Sequence, residues 1–97
     1  MINKKKKTVK FPFRVRVTPK HIKDGLPWSS RSCPVALAFK SGTRREWAVG
    51  RIIAARDDGK YYVDLPTKVS DFIVKFDTGE PVKPFSFTVH KRKVNVK

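Results

Sequence analysis

Nucleophilic chemistry in this chain would have to use its one cysteine, Cys33, with His21 or His90 as the base. Cys33 stands before Pro34 where a helix is expected to begin, and free amides at a helix start lower a thiol pKa. A working thiolate also needs a base within reach, a group that orients the base, and donors for the developing oxyanion. The sequence offers no Cys-His-Asn arrangement and no oxyanion loop, and a lone cysteine is most often a small buried apolar residue. Cys33 is therefore read as a packing residue. His21 lies in "PKHIKD" between lysines and is read as a cap or solvent residue rather than a phosphate contact, while His90 merely opens a basic tail. Asp57, Asp58, Asp64, Asp71 and Asp77 are dispersed and form no pair suited to acid-base work. Two histidines without nearby cysteines or paired carboxylates give no metal-ligand spacing. No catalytic residue, metal or cofactor is expected, and the chain does not read as an enzyme.

Binding chemistry is better represented. The 97 residues carry 23 Lys and Arg against 8 Asp and Glu, a formal charge of +15. A charge that repels itself in the free monomer is well used on an anionic partner. It is also unevenly placed: residues 1–23 contain no acidic side chain, the middle is nearly balanced, and the tail "HKRKVNVK" is basic again. Lys10, Arg14 and Arg16 alternate with Val9, Phe11, Phe13, Val15 and Val17, so they share one face of an expected strand, preceded by Lys4, Lys5, Lys6 and Lys7. Protecting an edge strand needs only one or two charges, so the excess favours an anionic ligand. Lys91, Arg92 and Lys93 extend the same character at the other end. Arg44 and Arg45 precede Trp47 in "SGTRREW", a pattern that can clamp phosphate and stack on a base. The alternative there is a core tryptophan beside a polar connection, and both readings stand open. Trp28, in "LPWSSRS" with Arg31 close by, is either a contact residue or a lid over the core.

The elements that must position these residues fit one small domain. A strand is expected over 9–17, with Pro12 marking it as an edge or kinked strand. Thr18, Pro19 and Gly25 are suited to cap, start and end one or two helical turns. Ser32 is placed to cap a buried helix over Cys33–Lys40, with Gly42 ending it. Residues 46–56 and 60–65 read as a hairpin turning at "DDGK". Val69, Phe72, Ile73 and Phe76 fall at helical spacing, with Thr67 as a possible cap and Gly79 just past the end. Phe85, Phe87 and Val89 alternate in a last strand. The expected class is α+β, in the order β-α-α-β-β-α-β, with a flexible basic arm over 1–8, a single domain over 9–90 and a basic tail over 91–97.

"VTPKHIKDG", "CPVALAF" and "DFIVKFDTGEPVKPFSFTV" resemble a family of short, uncharacterised proteins of bacteriophage genomes and prophages. The shared elements fall on His21, Ile22 and Gly25, on Cys33 through Ala38, and on Phe72, Phe76, Asp77, Gly79, Val82, Pro84, Phe85 and Phe87. The resemblance covers about residues 15–89 and implies a phage-encoded protein of the host cytoplasm, with no established activity to transfer. The lysine arm and the basic tail lie outside the shared part. One cysteine, no secretory leader and no apolar run near the ~20 residues of a membrane span agree with a cytoplasmic setting.

The function expected from the charge is nucleic-acid binding, DNA or RNA, mainly through backbone phosphate. No helix-turn-helix, zinc-finger or RNA-recognition signature argues for sequence specificity. The alternative is a phage-encoded inhibitor docking on an acidic host protein or a ribonucleoprotein, such as a defence nuclease in the manner of an anti-CRISPR protein, or RNA polymerase.

Overall fold

A computed structural model describes residues 11–90. It contains β1 (Phe13–Val17), α1 (Pro19–Asp24), α2 (Pro34–Thr43), β2 (Trp47–Val49), β3 (Ile53–Arg56), β4 (Tyr62–Asp64), α3 (Thr67–Asp77) and β5 (Phe85–Val89). The α+β class and the order of elements are those expected, with one expected strand divided in two. The expected arm and tail, with Val9 and Lys10, lie outside the described residues.

The stretch 46–56 is folded into two strands rather than one. Trp47 and Val49 are buried, and so are Ala54 and Arg56, so the buried parity changes from odd to even between them. A straight strand cannot make that change, because its side chains alternate strictly. The change is made at a turn through Gly50, whose amide donates to the carbonyl of Ile53 at 2.9 Å. β2 then pairs antiparallel with β3, Trp47 opposite Arg56, and β3 with β4, Ala54 opposite Val63. The turn also sends Arg51 outward, where continued alternation would have buried it.

β1 pairs with β5 in a separate antiparallel ribbon of two strands. Val15, Val17, Phe87 and Val89 form its buried side, and β1 packs on α2. The centre of the core is Phe39 of α2, whose ring lies 4.7 Å from Trp47, 6.2 Å from Phe13 and 6.0 Å from Phe87. One helical side chain thus joins both sheets. α3 contributes Val69, Phe72 and Ile73, the stripe read from its spacing, with Phe72 4.8 Å from the Phe85 ring.

Three helix ends differ from expectation. The cap of α2 is Cys33, not Ser32: its Sγ accepts from the Ala36 amide at 3.4 Å, while the Ser32 amide donates to Ser29 Oγ. α2 runs past Lys40 and Gly42 and ends at Arg44, which adopts the left-handed conformation at φ 62. Pro66 takes the cap position of α3, and Thr67 is its first residue. The end of α3 is as read: Gly79 at φ 83 allows its amide to reach Phe76 and that of Glu80 to reach Lys75. Gly25 does close α1, but in an extended conformation; it is small because α2 is close, a Cβ there falling 2.6 Å from Pro34 Cδ.

Candidate nucleic-acid interface

The register of the ribbon fixes what its outer side carries. Arg14 stands opposite Thr88 and Arg16 opposite Ser86. Both arginines are exposed, while their neighbours Val15 and Val17 are buried, as alternation requires. All eight acidic residues of the chain fall between positions 24 and 80, so neither β1 nor β5 contains one. Neither arginine has an ion pair with a described residue. At one end of the ribbon Phe13 pairs with Val89. The described chain therefore enters and leaves the ribbon side by side. Lys4, Lys5, Lys6, Lys7 and Lys10, and on the other side Lys91, Arg92 and Lys93, lie outside the described residues, but the two segments that carry them join the fold at this one place.

Arg44, Arg45 and Trp47 do not form a clamp. Trp47 is 1% exposed, stacked on Phe39, with its indole N–H donating to Thr43 Oγ at 2.8 Å. It takes the core alternative. The Arg45 guanidinium is held by Asp57 at 3.1 Å and by Asp58 at 3.4 Å, whereas Arg44 is exposed at the end of α2.

Trp28 is 65% exposed and sits at φ 59, a conformation costly for a bulky residue. Its backbone is fastened by the Asp77 carboxylate, which accepts from the Trp28 amide at 2.9 Å. It borders a cleft of about 200 Å³ whose wall includes Arg51, Val49 and Ile73. Arg31 is exposed on the same loop. Arg51 was not singled out from the sequence, because "AVGRII" reads as uninterrupted strand; the glycine followed by a change of parity was the available signal. Ser86 and Thr88 were likewise visible as the alternate positions of "FSFTV" but carried no assignment.

A second recess, of about 390 Å³, lies between α3 and the segment leading to β5. Phe72, Val82 and Phe85 line it, with Lys68, Lys75 and Lys83 at its rim beside Asp71.

Cys33 is 4% exposed, and burial pushes its thiol above the ordinary range despite the nearby amides. His21 completes a reciprocal cap on α1: Thr18 Oγ accepts from the His21 amide at 3.2 Å, and His21 Nδ1 accepts from the Thr18 amide at 3.0 Å. With Nδ1 accepting, the ring proton is on Nε2, which lies 2.9 Å from Ser41 Oγ. Partial burial holds the ring below its ordinary pKa, which works against the charged form that phosphate binding would use.

Among the described residues no group of three or more His, Cys, Asp or Glu could hold a metal, and no helix is long and apolar enough to cross a membrane. No protein-family model, curated protein or solved structure matches the chain.

Proposed function

We propose that this protein binds nucleic acid mainly through backbone phosphate, as a basic phage-type protein of the host cytoplasm. The pairing of Phe13 with Val89 carries the reading. It joins two lysine- and arginine-rich segments to the fold at one place, next to an acid-free face bearing Arg14 and Arg16. Charges far apart in sequence thereby act on one stretch of polyanion, and each phosphate neutralised releases counterions.

The test is affinity for mixed-sequence DNA and RNA against salt. Four or more phosphate contacts give a slope of log affinity on log salt steeper than about −3.6 for duplex DNA. Deleting residues 1–7 removes four lysines and is expected to make that slope shallower by up to about 3.6 while leaving the melting temperature nearly unchanged. A flat salt response, or no binding at micromolar protein in low salt, removes the proposal.

The recess edged by Lys68, Lys75 and Lys83 over Phe72 and Phe85 favours a second reading, an inhibitor docking on an acidic host protein through an apolar anchor. Under that reading Lys75→Glu with Lys83→Glu abolishes host-protein binding, and deletion of residues 1–7 does not.

A further inference from the structure

α1 has six residues, and the buried side of α2 is committed to the core through Val35, Ala36, Ala38 and Phe39. The free side of α3 mixes Lys68 and Lys75 with Asp71. None of the three helices presents an acid-free basic face of useful length. The β1–β5 ribbon does.

Its dimensions and chemistry agree with one occupant. Among the described residues it has two strands, and neighbouring strands stand about 4.8 Å apart in any sheet. The major groove of B-form DNA, about 12 Å wide and 8.5 Å deep, admits a two-stranded ribbon. Five residues per strand extend about 17 Å, the length of roughly five base-pair steps. Arg14 and Arg16 are two residues apart, so their origins are separated by about 6.8 Å, or two base-pair steps. The outward set is Arg14, Arg16, Ser86 and Thr88. Arginine makes paired hydrogen bonds to guanine O6 and N7, and serine and threonine bond either kind of base edge. The apolar side of the ribbon is sealed by the core, so only this polar side is offered.

We infer that the β1–β5 ribbon enters the major groove of duplex DNA, with Arg14 and Arg16 reaching guanine edges. This rests on the nucleic-acid reading and narrows it to B-form duplex, because the major groove of A-form RNA is too deep and narrow for side chains to read.

The experiment is methylation interference with the full chain on a mixed-sequence 24-base-pair duplex treated with dimethyl sulfate. The reagent marks guanine N7 in the major groove and adenine N3 in the minor groove. The bound fraction is expected to be depleted of guanine N7 methylation by about fivefold or more, with adenine N3 methylation unchanged. Arg14→Lys with Arg16→Lys, which keeps the charge but loses the planar paired donors, is expected to weaken that depletion while preserving the salt slope. Duplex RNA of the same sequence is expected to bind more weakly. If DNA is bound with no depletion at guanine N7, or duplex RNA binds as tightly, groove entry is overturned and phosphate binding stands. If neither nucleic acid is bound in low salt, both readings fall.

Discussion

Asp58 grips Arg56 across the turn between β3 and β4: its Oδ2 lies 2.5 Å from Nη2, and both its oxygens lie 3.1 Å from Nε. Arg56 is the one buried charged side chain among the described residues, at 8% exposure, and its guanidinium also lies 4.5 Å from the centre of the Tyr61 ring. The Arg56 hydrogen bonds hold the Asp58 carboxyl well below the usual carboxylate range. Removing the acid strands a buried cation, whereas removing the cation leaves a carboxylate with water access and with Arg45 at hand. Asp58→Asn is therefore expected to lower the melting temperature clearly, and Arg56→Met to stay within about 1 kcal/mol of the parent. Thermal denaturation of the two variants checks the order. The pair's contribution is complete above an ordinary aspartate pKa of about 3.9 and is lost only as pH falls through the depressed value in the fold.

Cys33 does two jobs at once, filling space and capping α2 with sulfur. Cys33→Ala removes both and is expected to cost on the order of 1–2 kcal/mol. Cys33→Ser keeps an acceptor for the Ala36 amide and is expected to cost less than alanine. Since burial raises the thiol pKa, the native protein should react slowly with a disulfide reagent at neutral pH and rapidly once denatured. Fast native labelling contradicts this.

His21 gives α1 a dependence on pH. Its folded pKa is depressed, so the neutral ring contributes stability that is complete above the ordinary value of about 6.5 and declines as pH falls through the folded value. The physical event is protonation of Nδ1, which ends its bond from the Thr18 amide. His21→Gln retains an acceptor at that position of the cap and has no titration. Denaturation midpoints measured from pH 7 to pH 5 should fall for the parent relative to this variant, and a constant difference contradicts the assignment.

Two glycines should respond oppositely to alanine. Gly25→Ala drives a Cβ into Pro34 and is expected to destabilise by about 1–3 kcal/mol. Gly42, inside α2, has open space where a Cβ would stand, with no neighbouring atom within 4 Å. Gly42→Ala is therefore expected to stabilise by up to about 1 kcal/mol. Equal signs in urea denaturation refute this account of the two positions.

Elements defined by local periodicity were legible in the sequence: β1 and β5 from strict alternation, α3 from the spacing of Val69, Phe72, Ile73 and Phe76. Decisions made by tertiary contact were not. Arg56 carries no mark in the sequence that sets it apart, and it is buried with Asp58 and Tyr61 beside it. Arg45 reads as a free cation, yet two carboxylates twelve and thirteen positions away hold it. The basic face was readable as Lys10, Arg14 and Arg16, of which Arg14 and Arg16 are among the described residues. Its completion by Ser86 and Thr88 depends on a pairing between distant strands, which no local pattern announces.

That pairing also governs when the domain can come into being. β1 leads the described elements and β5 ends them, and between them they bury Val15, Val17, Phe87 and Val89. Contacts so far apart in sequence form late, because the chain between them must be closed first. During synthesis, β1 waits without its partner strand until β5 has left the ribosome, its hydrogen-bonding edge open to other strands. Arg14 and Arg16, standing on that waiting strand, supply charge against mispairing in the same interval. The face proposed to hold DNA is in this sense complete only once β5 is in place.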